Sequence, residues 1–503
     1  MNLNTLLSPL HKYANAMPQG TVALHVMQMF ATLSFAVLYS TLVLYATNAL
    51  HLSDTLATCI TASFVAFNFT LHLFSGYIGG RFFSFRVLFA FGMLSTTIGC
   101  LLLAIPEPQY LYWGLTLFLL GSGFNITCIN CMLTQLFQPE DKRRETAFLF
   151  NYSGLNIGAF TGFLISGYFQ LHNAYDTLFV LSAVGNLIAL ILTVVKWRYL
   201  RDIHSTLSEL PQHKRAKHHL IGGILIVVMI PFLHWFLLHA SFTNTLITGV
   251  GLGTGIVLAM LAKAQPKQED TNKIFAFLIF SFTALVFWTL YLLAPMSLTL
   301  FIERNVDRHM LGLQIPPQWV QNINTVVIIA GGPLLSMLFI KLRRNGVHFP
   351  ISWQFAFSLL VTGVGFVALS VGIYFANSQG YVSFIWVFLC FVLQSLGELF
   401  IAPVGFAMVG QLAPKRLQGI MIGAWSMISG VAATVSSYFS KLSLGEGAVT
   451  NPLLTNGNFS HTFTFMGLSA IAIGTTLFFA APVITRLTSE KNVRSSNLAE
   501  NPI

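Results

Sequence analysis

The chain has 503 residues, of which 55% are hydrophobic and only 8% charged, and its mean hydropathy is +0.72. A soluble domain carries about 25% charged residues and a disordered one combines low hydrophobicity with high charge, so both an ordinary soluble enzyme and a disordered chain are excluded. A net charge of +10 suggests nucleic acid as a partner only where the charge forms a binding surface, and its placement here argues otherwise.

A bilayer core of ~30 Å needs about 20 apolar residues in helical form. Taken in chain order, runs of that kind fall at 22–47, 55–79, 87–105, 110–137, 146–170 and 175–199. They continue at 219–239, 243–262, 274–301, 319–342, 352–375, 381–411, 417–440 and 462–486. The runs do not alternate apolar and polar, which argues against barrel strands. The reading is an all-α polytopic membrane protein with fourteen transmembrane helices.

Basic residues fix the expected orientation. With the N-terminus inside, the inside loops hold Arg81, Arg86, Lys142, Arg143, Arg144, Arg201, Lys214, Arg215, Lys263, Lys267, Lys341 and Arg344. Of the 26 Lys and Arg, all but Arg304, Arg308 and Lys441 fall on that side. The positive charge is therefore topology, no nucleic-acid partner is expected, and both termini are placed in the cytoplasm.

The spans group as 6+2+6. Residues 1–200 read as an N-terminal six-helix bundle, 201–272 as a linker with two extra helices, 273–488 as a C-terminal six-helix bundle and 489–503 as a polar tail. Two six-helix halves are the pattern of the major facilitator superfamily fold, whose halves are parallel repeats with a site at the midplane. The glycines of 249–255 superficially suggest a phosphate loop, but they lie within a span, where close helix packing is the expected role.

Ionisable groups at membrane depth are costly and mark functional sites. Of the 16 acidic residues only Glu398 sits deep within a span, and no Lys or Arg lies equally deep. An unpaired carboxyl there seeks a proton or a cationic substrate group. His25 and His72, on the first two spans, are the other proton-coupling candidates. His234 and His239 have the wrong offset for one helix face, and Cys128–Cys131 has no second pair, so no metal site is expected. With no nucleophile–base pair on facing spans, no catalytic residue, cofactor or enzyme activity is expected either. In-span polar residues, among them Gln28, Asn68, Asn125, Asn130, Asn151, Asn156, Asn324 and Gln394, should face the bundle interior.

Several stretches carry a resemblance. They are Phe287-Trp-Thr-Leu-Tyr291, Leu300-Phe-Ile-Glu-Arg-Asn-Val-Asp-Arg308, Gly397-Glu-Leu-Phe-Ile-Ala-Pro-Val-Gly405, Ala413-Pro-Lys-Arg-Leu-Gln-Gly419, Gly423-Ala-Trp425 and Phe148-Leu-Phe-Asn-Tyr-Ser-Gly-Leu-Asn-Ile-Gly158. Together they resemble the proton-dependent oligopeptide transporter family of the major facilitator superfamily. The departures are as informative. The family's E-x-x-E-R positions fall here at Gln28, Ala31 and Thr32, its fourth-helix lysine at Ile126, its second-helix tyrosine at Leu73, and the acid and glutamine of its seventh helix at Leu292 and Leu293. Glu398, Tyr152, Asn156, Asn324 and Trp425 are retained.

The resemblance implies a secondary transporter working by alternating access, with a substrate site drawn from Glu398, Asn156, Tyr152, Asn324, Trp425, Trp288 and Gln28. In the family, the glutamate matching Glu398 binds the peptide amino terminus. Loss of the usual cations points to an amine-bearing solute with a masked or absent carboxylate, with proton coupling through Glu398, His72 or His25. The alternatives are a conventional di- or tripeptide–proton symporter with relocated coupling groups and a non-transporting receptor of the same fold. The expected setting is the bilayer of a bacterial inner membrane, as a monomer.

Overall fold

The computed structural model describes residues 13, 16–138, 140–203, 205–310, 312–345, 349–414, 416–445 and 450–488; the 489–503 tail and Lys415 lie outside them. Fourteen helices are long and apolar enough to cross a membrane. The first six are α1 Thr21–Leu44, α2 Asp54–Ile78, α3 Phe85–Leu103, α4 Pro108–Gln135, α5 Arg143–Leu171 and α6 Tyr175–Val195. The central pair is α7 Gln212–Leu238 and α8 Ala240–Lys263. The last six are α9 Gln268–Tyr291, α10 Pro317–Arg344, α11 Ile351–Tyr374, α12 Phe384–Ile401, α13 Gln418–Leu444 and α14 Pro452–Thr488.

The same pairings recur in the two groups of six. In the first, α1 packs on α5 and α6, α2 on α4, and α3 on α4 and α6. In the second, α9 packs on α13 and α14, α10 on α12, and α11 on α12 and α14. This is the parallel repeat of the major facilitator fold. The halves meet through α2 on α13 and α5 on α10, while α8 packs on α2, α9 and α13 and so touches both.

Lipid tails are as apolar as the side chains, so helices in a membrane associate by close packing, and small residues permit it. A Cβ on Gly121 of α4 would lie 2.3 Å from the Gly92 carbonyl of α3. One on Gly158 of α5 would lie 2.2 Å from the Met29 carbonyl of α1. Gly363 and Gly467 make the equivalent seam between α11 and α14.

Helix ends depart from the apolar runs where turn chemistry decides. The run at 381–411 breaks after Ile401, because Pro403 has no N–H to continue the ladder; a second short helix follows at Gly405–Leu412. The ninth run extends past its apolar part: beyond a kink at 292–298 containing Pro295, the helix resumes as Thr299–Asn305. Glu303 and Arg304 thus stand in a helical turn and not in a loop. Extended pairing does occur, outside the spans: Val306–Asp307 runs parallel to Val382–Ser383, and His309–Met310 pairs antiparallel with Leu313–Gln314.

Overpacking of a tight seam costs about 1–3 kcal/mol, whereas replacing a mid-helix Gly in open space with Ala gains up to about 1 kcal/mol of helix propensity. Gly121→Ala is therefore expected to lower the melting temperature of the purified protein. Gly249→Ala, whose Cβ meets nothing within 4 Å, should leave it unchanged or raise it. Equal losses in both would contradict the seam as the packing determinant.

Candidate substrate site

The Glu398 carboxyl lies on α12 in the middle of the second half. Asn324 of α10 donates to its Oε2 at 2.7 Å and also to the Ser395 hydroxyl at 3.1 Å. Ser395 passes its own proton to the Phe391 carbonyl at 2.7 Å, so the amide is held from below while it holds the carboxyl. Tyr291 of α9 is the other hydrogen-bonding neighbour of that carboxyl. Tyr39 of α1 lies close enough to feel its charge, and Tyr152 of α5 faces Tyr291 from the first half. Trp288 extends the ring cluster, with its centroid 5.2 Å from that of Tyr291. Among the described residues no Lys or Arg pairs with Glu398.

This is a carboxyl steadied by an amide and ringed by phenols and an indole, contributed by both halves. It suits a desolvated ammonium group, through charge on the carboxylate and through the aromatic faces. Tyr152 is 55% exposed.

The sequence-selected residues divide. Glu398, Asn324, Tyr152 and Trp288 come together. Asn156 donates to the Tyr152 carbonyl of its own helix at 2.9 Å, and Trp425 packs its indole on Gly405 and Phe355. Gln28 donates to Thr32 at 2.9 Å and is buried. Leu292 and Leu293, where the resemblance places an acid and a glutamine, are buried and packed.

His25 and His72 occupy separate niches. At His25 both ring nitrogens are engaged, Nε2 with the Tyr13 hydroxyl at 2.9 Å and Nδ1 with Asn151 Oδ1 at 3.5 Å. Asn151 Oδ1 can only accept, so Nδ1 carries the proton and Nε2 accepts from the Tyr13 hydroxyl, whose pKa burial pushes up to about 12. His72 reaches from α2 to α4, where its Nδ1 donates to the Gly123 carbonyl at 3.1 Å and Nε2 has no partner among the described residues. Tyr39, Tyr291 and Ser395 were not selected from the sequence. Tyr291 ends one of the quoted motifs, and counting in-span phenols beside in-span amides would have found both tyrosines.

Cross-half bonds gather at the end of the bundle away from the basic loops. Arg304 makes a two-pronged pair with Asp54, at 2.5 and 2.9 Å. Gln170 of α5 donates to Glu303, which also pairs with Arg308 at 3.2 Å. Trp319 donates to the Leu164 carbonyl at 3.0 Å and Asn322 to that of Phe160 at 3.3 Å. At the basic end, no hydrogen bond or ion pair between the halves occurs among the described residues. The cross-half bonds therefore close the end of the bundle away from the basic loops.

A family model described as the POT family matches residues 82–450. A dipeptide and tripeptide permease A of Cronobacter turicensis is 27% identical over 484 residues, 96% of each chain. One from Erwinia pyrifoliae is 28% identical over 476 residues, covering 94% of this chain and 96% of its own. A mutant peptide transporter POT solved in complex with alafosfalin superposes with TM-score 0.82 at 24% identity, covering 93% of this chain and 96% of its own. A POT family transporter solved with 5-aminolevulinic acid gives 0.78 at 21%, covering 93% and 97%. At these identities the solved structures speak to the fold.

Two outcomes follow from the geometry. Breaking one partner of a mostly buried ion pair costs about 3–5 kcal/mol. Asp54→Asn is therefore expected to open the closed end, read as increased thiol labelling of Cys residues introduced at positions 164 and 319; unchanged labelling would remove the pair as the latch. A hydrogen bond to a charged group contributes about 1.5–3 kcal/mol. Asn324→Leu should accordingly weaken binding of amine ligands about 10- to 100-fold by calorimetry, with little effect on ligands lacking the amine.

Proposed function

Because this chain belongs to the POT family of membrane transporters, we propose that its solute is a short peptide or peptide-like amine, carried by alternating access of the two halves. The observation that carries this reading is the Glu398 carboxyl, steadied by Asn324 and reached from the two halves by Tyr39 and Tyr291. Relatives named dipeptide and tripeptide permeases support peptides as the solute class. The amino terminus of the solute docks on Glu398. The cationic clamps that would grip a free carboxylate are replaced by Thr32 and Ile126, so solutes with blocked carboxyl groups are tolerated.

Proton coupling, in this reading, runs through Glu398 and His72. Binding of an ammonium group and binding of a proton compete for the same carboxyl, which links the two. Among the described residues His72 keeps one ring nitrogen without a partner, whereas both nitrogens of His25 are hydrogen-bonded. The basic end is assigned to the cytoplasm by the positive-inside rule. The closed end then faces outward. The protein acts as a monomer in a bacterial inner membrane.

The experiment is uptake into proteoliposomes of a labelled dipeptide and of its carboxamide, with and without an inward proton gradient. Both are expected to accumulate with the gradient. Glu398→Gln should abolish uptake of both. His72→Leu should lose gradient-driven accumulation while retaining exchange of internal for external solute. No flux of either solute in the wild type would favour a non-transporting receptor, and uptake of the dipeptide alone would sink the blocked-carboxyl reading.

A further inference from the structure

The basic end carries a second polar cavity, remote from Glu398 in sequence and in the fold. It has a volume of about 490 Å³ and lies where the start of α3, the 201–208 linker and the start of α7 meet. Its charged lining is Arg86, Arg201, Arg215, His219 and a single carboxylate, Asp202.

These groups are incompletely used by the protein. Arg86 gives Nη1 to the Trp197 carbonyl at 2.6 Å, and its Nε is buried without any hydrogen-bond partner. Arg215 gives Nε to the Leu210 carbonyl and Nη2 to that of Ser208, both at 2.9 Å, leaving Nη1. Arg201 is exposed and makes no hydrogen bond or ion pair among the described residues. It repels Arg86 across the cavity. His219 donates from Nδ1 to the Phe82 carbonyl at 2.7 Å, leaving Nε2. Asp202 accepts from the Phe85 amide at 3.1 and 3.2 Å, and its charge acts on Arg86, so one carboxylate stands against three guanidinium groups.

Three guanidinium groups converging with one committed carboxylate are a recognition site for a tetrahedral oxyanion, since Arg forks match phosphate oxygens. The position fits the headgroup layer. Arg86 stacks on Trp197, 4.6 Å from the ring centre, and Lys196 lies over Tyr199, an arrangement of aromatic and basic residues typical of the membrane–water interface. Phe83, Val87 and Leu207 add an apolar wall.

We propose that this cavity binds a phosphate group, that of an anionic phospholipid or a free phosphate, and that the bound group ties the 201–208 linker and α7 to the first half. Nothing in this depends on Glu398 or on the identity of the transported solute.

The test uses the full chain purified in a neutral detergent. Its melting temperature is followed on titration with phosphatidylglycerol, with phosphatidylcholine and with inorganic phosphate. Wild type, Arg201→Gln, the Arg201→Gln/Arg215→Gln double variant and Lys263→Gln are compared, the last removing an exposed cation elsewhere at the basic end. Phosphatidylglycerol is expected to raise the melting temperature of wild type and Lys263→Gln. Half-saturation should shift at least tenfold higher in the double variant, and phosphatidylcholine should have no effect. A saturable rise with inorganic phosphate that the same variants lose would assign the site to the free ion. Should the double variant not fold, Arg201→Gln alone carries the test, because that side chain makes no bond among the described residues. Equal stabilisation of all four proteins by phosphatidylglycerol, or equal stabilisation by phosphatidylcholine, would overturn the proposal.

Discussion

A carboxyl group in the middle of an apolar bundle is the constraint around which the rest is arranged. An isolated charge there is costly, and a cation built into the protein would satisfy it permanently. The chain instead supplies neutral donors: the Asn324 amide, itself seated on Ser395, and the hydroxyl of Tyr291. Neutral donors steady a carboxylate without cancelling its charge. The remaining attraction is left for something that enters and departs, which is the requirement a transporter places on its site.

The architecture that brings such a visitor to Glu398 follows from how helices associate without a hydrophobic driving force. Seams of small residues, Gly92 with Gly121, Gly158 with the Met29 carbonyl and Gly363 with Gly467, lock helices within each half at backbone distance. Between halves the described bonds are few, polar and grouped at one end. Tight seams within and replaceable polar contacts between make each half a body that moves as a unit. Tyr39 and Tyr152 belong to one body, Glu398 and Asn324 to the other. Relative motion therefore changes the site itself, and occupancy of the site acts back on the motion.

How much of this is legible in the sequence depends on whether the signal is local. Span positions are, because bilayer thickness imposes a length and lipid imposes apolarity, and the solitary depth of Glu398 is legible for the same reason. Helix ends are not: the break at Pro403 and the kink containing Pro295 depend on backbone chemistry that an apolar run conceals. Partnerships across the halves are further out of reach. Nothing in the residues near Asp54 predicts Arg304, and nothing near Glu398 predicts Tyr39, since each pair is joined only by the fold. Amide side chains shared this ambiguity: Asn324 holds the carboxyl, Asn151 holds His25 and Asn156 bonds its own helix, and no feature of their sequence neighbourhoods sorts them.

The charge positions missing from the family pattern acquire a physical sense once burial is known. Leaving one member of an interior ion pair in place without its partner costs several kcal/mol, whereas removing both members can be neutral. Here the replacements occur together. Gln28 donates to Thr32 on α1, with its own Oε1 buried and without a partner among the described residues, and Leu292 and Leu293 bury into the core beside the kink. None of these positions retains an orphaned charge, and the packed leucines show an interior refitted rather than emptied. Glu398 differs from Asp54 and Glu303, whose carboxyls pair with Arg304 and Arg308, in having a neutral amide as its partner. In the reading proposed above, that uncancelled charge serves the solute and not the fold.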